Sequence, residues 1–175
     1  MKFSIIQKDQ RIECFNYNSK KQIVSSVIYD LTKRPKQKES DYTYYYEDSL
    51  ITKIHESVFN HSYMISYYKN TNNIDTIRVT NSKGKLHRIQ IFEYDTMNNV
   101  YKNFKFPRFG YANTLHLYSA NNIITSQSHT PILRDTSCGF KLYEYNSEKF
   151  PTKVTSYSKN SGWVVTTSYF YKNCK

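Results

Sequence analysis

Residues 101–111 read Tyr-Lys-Asn-Phe-Lys-Phe-Pro-Arg-Phe-Gly-Tyr, which places Lys102, Lys105 and Arg108 among Phe104, Phe106, Phe109 and Tyr111. Cations interleaved with aromatic rings hold single-stranded nucleic acid, because rings stack on bases while cations track phosphates. Arg108-Phe109-Gly110-Tyr111 matches part of the core motif of an RNA-recognition module. The first glycine of that motif is missing, and no strand–helix alternation of that module surrounds it. The plainer reading is a strand with its lysines in water and its phenylalanines in the core, followed by a turn. Lys102, Lys105, Arg108, Phe109 and Tyr111 are the candidate binding residues.

Other chemistry is sparse. The histidines His55, His61, His87, His116 and His129 never stand two or four residues apart, so no local metal site is expected. His116 sits at an aromatic position and is expected to pack. Gly84, Gly110, Gly139 and Gly162 are isolated, so no phosphate-cradling loop is present. Neither a nucleophile elbow nor a zinc-protease motif occurs. Carboxylate pairs such as Glu47-Asp48 fall at turns, where water solvates them. Nothing selects a pair for glycoside chemistry. The expectation is no catalytic residue, no metal and no cofactor. Cys14, Cys138 and Cys174 form no CxxC, and an odd count is not a disulfide framework. One bridge between Cys138 and Cys174 stays open if the chain is exported.

These residues need elements to position them. The chain has 175 residues, enough for one domain with a real core, and residues 1–175 are read as one. Aromatic content is 17%, with 18 Tyr, which excludes the composition of a disordered chain. Four Gly and four Pro exclude a collagen-like one. The net charge of +11 suits an acidic protein, an anionic glycan or nucleic acid. It also suits simple codon bias, since Lys, Asn, Ile and Tyr share A/T-rich codons. The apolar run Phe3 to Ile6 is too short for a signal-peptide core, and no stretch reaches the length of a membrane-spanning helix. The chain is expected to be cytoplasmic if Met1 is the native start, or exported if a signal precedes it.

A repeat organises the chain. An aromatic pair two residues apart is followed by a polar turn and an apolar return strand. Its second aromatics are Tyr17, Tyr46, Tyr68, Tyr94, Tyr118, Tyr145 and Tyr171, spaced 22 to 29 residues apart. Return strands such as Ile23-Val24-Ser25-Ser26-Val27-Ile28 and Ile74-Asp75-Thr76-Ile77-Arg78-Val79 are short and β-branched. Asn72-Asn73, Asn98-Asn99 and Asn121-Asn122 precede return strands in equivalent places, and Asn tolerates left-handed backbone angles. The expected fold is all-β, an antiparallel meander of about seven tyrosine-rich hairpins in a curled or partly closed sheet, because about fourteen strands exceed one open twisted sheet. The seven tyrosines are expected to form a structural aromatic ladder across one face. Leu31 to Asp41, Phe104 to Asn113 and Gln127 to Gly139 are expected to be longer loops, where contacts concentrate.

The unit resembles the YD repeat (RHS-like repeat), with Phe92-Glu93-Tyr94-Asp95 and Tyr143-Glu144-Tyr145-Asn146 as the best matches. The chain is similar in particular to small YD-repeat lipoproteins of Bacteroidetes. That closer likeness rests on Tyr94-Asp95 with Asn98-Asn99, on Ser119-Ala120-Asn121-Asn122-Ile123, and on Tyr145-Asn146 with Phe150-Pro151-Thr152-Lys153. The resemblance implies hairpin sheets, no catalytic residues and a place at the cell envelope or outside the cell. The chain departs from those lipoproteins in showing neither a lipoprotein signal nor a lipid-acceptor Cys near its start. The functional expectation is a non-enzymatic binding or scaffold protein that presents loops to a protein partner. The alternatives are an immunity-type protein that neutralises an acidic toxin, and a polysaccharide- or nucleic-acid-binding module that uses aromatic and Lys residues.

Overall fold

The computed structural model describes residues 11–101, 119–131 and 133–171, together with the backbone of residues 2–6. They form twelve strands: β1 (Lys2–Ile6), β2 (Arg11–Tyr17), β3 (Ile23–Asp30), β4 (Gln37–Glu47), β5 (Leu50–Glu56), β6 (His61–Tyr67), β7 (Ile74–Thr80), β8 (Leu86–Asn98), β9 (Asn121–Thr130), β10 (Asp135–Tyr145), β11 (Pro151–Ser158) and β12 (Val164–Ser168). Their order in the sheet follows the sequence from β1 to β12. The chain is thus an all-β antiparallel meander, as its hairpin pattern predicts. No helix among the described residues is long and apolar enough to cross a membrane.

Two expected loops are mostly strand. Gln127–Thr130 and Asp135–Gly139 extend β9 and β10. The polar side chains that suggested a loop alternate across a paired ladder, and Gln127 and His129 stand in water while the backbone pairs. Likewise Gln37–Asp41 belongs to β4, paired with β3, and Lys38 and Asp41 approach within 3.4 Å on the wet surface. Only residues 31–36 turn there. Tyr169–Tyr171, expected as the last aromatic strand, follow β12 outside any strand. Phe104 to Asn113 lies outside the described residues.

The described residues divide into two compact units. Unit 1 holds β1 to β5, most of β6, and Ile77–His87. Its directly opposed residues share a face, giving rows such as Phe15–Ser26–Tyr42–Glu56 and Tyr44–Ile54–Tyr63. That face is buried, with Phe15, Ile28, Tyr42, Tyr44, Ile51, Ile54, Tyr63 and Ile65 forming the core. The opposite face carries Asp41, Thr43, Tyr45, Lys53, His55 and Met64. Burial of one face of a single sheet requires the sheet to bend over it.

Unit 2 holds Tyr67–Thr76, residues 88–101 and residues 119–171. Its apolar buried residues are few: Ile74, Phe92, Ile123, Pro151 and Val154. Asn73, Asn99, Ser119 and Asn122 are buried beside them.

Asparagine builds the tight turns. The Oδ1 atoms of Asn18, Asn81 and Asn146 each accept the backbone N–H groups two and four residues on, at 2.9–3.1 Å. Three residues on, the backbone is left-handed, at Lys21 (φ 62°), Gly84 (φ 72°) and Lys149 (φ 64°). An Asx turn of this kind replaces backbone bonds that the hairpin lacks at its tip. The Asn146→Ala variant should lose about 1–2 kcal/mol, the worth of two such bonds. Gly84→Ala should lose about 1 kcal/mol, because alanine resists positive φ. Urea unfolding midpoints check both, and an unchanged midpoint for Asn146→Ala would exclude the Asx turn as a stability element.

Candidate functional site

The seven tyrosines were the sequence candidates for a ladder, and the backbone treats them in a particular way. In four of the hairpins the strand register shifts immediately before the second aromatic, between Asn16 and Tyr17, Tyr45 and Tyr46, Glu93 and Tyr94, and Glu144 and Tyr145. The extra residue of each bulge, Val24, Thr52, Ile124 or Thr152, lies on the return strand opposite the tyrosine, and such a bulge increases the local twist. Four tyrosine hydroxyls, those of Tyr46, Tyr94, Tyr143 and Tyr171, meet the start of a return strand in the preceding hairpin. Tyr46 has a backbone hydrogen bond with Ile23, and Tyr94 has one with Ile74. Tyr143 donates to the Ile123 carbonyl at 3.0 Å, and Tyr171 donates to the Pro151 carbonyl at 2.6 Å. Tyr68 donates forward to the Phe92 carbonyl at 2.8 Å, and its ring meets Tyr94 edge-on at 6.2 Å. Tyr143 and Tyr145 stack at 5.8 Å. Tyr17 is half-buried in unit 1. Tyr118 lies outside the described residues.

Asp95 is a second centre in unit 2. It accepts the Tyr145 hydroxyl, the Met97 backbone N–H at 2.9 Å and the Asn122 backbone N–H at 3.2 Å. The asparagine pairs found in the sequence gather close by. Asn73 and Asn121 bond reciprocally at 2.9 and 3.0 Å, and the Asn121 amide reaches the Met97 carbonyl at 2.8 Å. Asn99 donates to the Ser119 carbonyl at 2.8 Å, while the Ser119 hydroxyl meets that of Tyr94 at 2.9 Å. Buried amides and hydroxyls are tolerated only when bonded in this way. These groups hold the unit together, so they are poorly placed to meet a ligand.

The candidate basic stretch, Lys102, Lys105, Arg108, Phe109 and Tyr111, lies outside the described residues, as does Cys174. Among the described residues no three His, Cys, Asp or Glu side chains gather as a metal would require.

The structure instead presents a recessed pocket of about 280 Å³ in unit 2, over β8 to β11. Its floor follows from strand register. Gln90, Ser128 and Ser137 stand in one cross-strand row, and Phe92, Ser126, Gly139 and Ser158 stand in the next. Lys141 and Ser156 form a third row on the same face. Serine and glycine leave the floor low where larger side chains would fill it. A Cβ on Gly139 would sit 3.2 Å from the Ser126 hydroxyl and 3.5 Å from the Tyr157 carbonyl. Trp163 lines the pocket as well. Lys141 also borders a smaller cavity of about 50 Å³ with Tyr143, Val154 and Tyr169. Burial pushes the Lys141 pKa down. Sequence reasoning passed over this site because it assigned Gln127 to Gly139 to a loop. Small residues at alternate positions, Ser126 with Ser128, Ser137 with Gly139 and Ser156 with Ser158, were its signature.

The arrangement offers five hydroxyls that both donate and accept, one cation, and aromatic surface from Trp163. It is a binding surface for a polar ligand of one or two rings.

Burial pushes the Tyr42 and Tyr46 hydroxyls up to about 12 and raises Tyr94, Tyr143 and Tyr145 as well. Tyr42 is raised further by the nearby Glu56 carboxylate. A folded-state pKa above the unfolded value means that the native state holds its protons more tightly. The corresponding stability is complete below about pH 10 and is lost as pH climbs toward 12. Denaturant midpoints should therefore hold steady up to about pH 10 and fall steeply above it. Phenolate absorbance should rise together with unfolding. Free titration of most tyrosines near pH 10 in the folded protein would contradict the buried clamps.

No protein-family model matches the chain, and no curated protein matches it in sequence. Among solved structures it is similar to a porin-like protein from Bacteroides vulgatus ATCC 8482, at a TM-score of 0.55 and 9% identity, over 98% of this chain and 87% of that one. A porin-like protein from Bacteroides uniformis ATCC 8492 aligns over 95% of this chain and 92% of that one at 11% identity, with a TM-score of only 0.33. At such identity the first likeness concerns the fold alone, and it agrees with an all-β antiparallel meander.

Proposed function

We propose that the protein is a non-enzymatic binding protein, in which a YD-like hairpin scaffold supports a site for a hydroxyl-rich ligand, a saccharide, in unit 2. The serine-floored pocket carries this reading. Five hydroxyls on one recessed face match the dense donors and acceptors of a sugar, and Trp163 gives a flat apolar wall for a ring. The strongly shifted tyrosines are engaged in packing, which supports binding over chemistry.

The fold likeness to a porin-like protein raises the alternative of a lipid-embedded barrel. Such a barrel turns an apolar face outward, and a Lys there costs about 2–4 kcal/mol at mid-membrane. Opposite the buried residues this chain sets Asp41, Lys53 and His55 in unit 1. In unit 2 it sets Glu93 and the Glu144–Lys153 ion pair at 2.7 Å. We therefore read both faces as facing water or protein. A place at the cell envelope or outside the cell fits a saccharide ligand best.

A protein partner is the second reading, and β12 favours it. All five of its residues are exposed, it pairs on one side only, and Trp163, Val164 and Val165 are each half or more exposed. Such an edge can receive a strand from another chain.

Mobility in native gels cast with a panel of neutral and acidic polysaccharides tests the first reading. Retardation by at least one polysaccharide is expected, and Ser128→Leu, which fills the pocket floor, should abolish it. Retardation that survives Ser128→Leu would move the ligand elsewhere on the chain.

A further inference from the structure

The pocket has one more property. Its lining residues include one cation, Lys141, and no carboxylate. Lys141 makes no ion pair or hydrogen bond with another described side chain. Glu144, the nearest carboxylate along β10, sits on the opposite face and is bound to Lys153 at 2.7 Å. The segment 102–118, whose placement is not described, contributes no Asp or Glu by sequence.

A cation recessed from water without a counter-charge is costly, and a ligand that brings the counter-charge recovers that cost. The lowered pKa of the amine reflects the same desolvation. Ser156 stands directly across from Lys141 in register, so its hydroxyl shares the row and the face of that lysine. An anionic oxygen placed there would meet both. The rest of the floor, Ser126, Ser128, Ser137 and Ser158, suits the hydroxyls of the same ring. The net charge of +11 attracts anions to the whole molecule and raises their encounter rate.

We infer that the pocket selects an acidic sugar, a uronic acid residue, whose carboxylate lies against the Lys141 ammonium and Ser156 while its hydroxyls face the serine floor. This rests on the saccharide reading above and narrows it. Neutral sugars would meet the same hydroxyls but leave the buried ammonium unpaired. Small carboxylates alone would meet the ammonium but leave the serines unmatched. Selectivity thus comes from having both groups on one ring.

The test uses the full chain labelled with nitrogen-15 and three probes: methyl glucuronide, methyl glucoside and acetate. Amide shifts of Gly139, Lys141 and Ser156 report binding. The expected result is saturable shifts with methyl glucuronide at an affinity at least tenfold above either other probe. Lys141→Met should bring the glucuronide down to the level of the glucoside, and Lys141→Arg should restore part of the difference. Equal binding of glucuronide and glucoside overturns the acidic selectivity and leaves the saccharide reading standing. Equal binding of acetate and glucuronide overturns sugar recognition at Lys141. No shift with any probe overturns both readings. The comparison of probes on the unaltered chain decides the matter even where Lys141→Met fails to fold.

Discussion

The bond from a tyrosine hydroxyl to the first residue of the preceding hairpin's return strand is the constraint on which the rest depends. Among the described residues no helix is present, so neighbouring hairpins must hold one another. Hydrogen bonds along the ladder join adjacent strands. The tyrosine hydroxyls at Ile23, Ile74, Ile123 and Pro151 add a side-chain bond that ties each of these return strands to the hairpin that follows it. The ring supplies apolar burial and the hydroxyl supplies the bond, a combination that phenylalanine lacks. The pairing with the following return strand is bulged at Tyr46 and Tyr94, which raises the local twist beside two of these bonds. Burial explains why the Tyr46, Tyr94 and Tyr143 hydroxyls keep their protons so firmly: they are withdrawn from water.

The two units solve burial differently, and the difference bears on function. Unit 1 buries Phe15, Ile54, Tyr44, Tyr63 and other large apolar groups on one face. Unit 2 has fewer of these and relies on Asn73, Asn99, Asn121, Asn122, Asp95 and Ser119 bonded to one another and to backbone. A polar network holds geometry by direction, whereas an apolar core holds it by volume. With geometry fixed by the network, unit 2 can leave part of one face empty. The serine floor with Lys141 at its end is that empty part. Small residues at alternate positions of three adjacent strands line up because antiparallel register puts opposed residues on one face.

Much of the fold was legible in the chain. The aromatic pairs at a period of 22 to 29 residues, the β-branched return strands and the asparagine turns each point to antiparallel hairpins. Asn18 and Asn146, directly after Tyr17 and Tyr145, are turn-formers by type and do close turns. Where the reading of elements failed, at Gln37–Asp41 and Gln127–Gly139, it failed because polar composition was taken to mean loop. A strand whose neighbours satisfy its backbone can carry Lys, Gln, Ser and His on its wet face.

The candidate site was hardly legible at all. Lys141 reads in the chain as one lysine among many, and Ser126, Ser137 and Ser156 lie too far apart in sequence to be associated. Local sequence determined the hairpins, because side-chain period and turn chemistry act over a few residues. Which hairpin faces which, which tyrosine reaches which carbonyl, and which serines share a floor were decided by strand register. Register comes from the bulges and from burial of one face over the whole sheet, and a one-residue slip would send every one of those side chains to the other side.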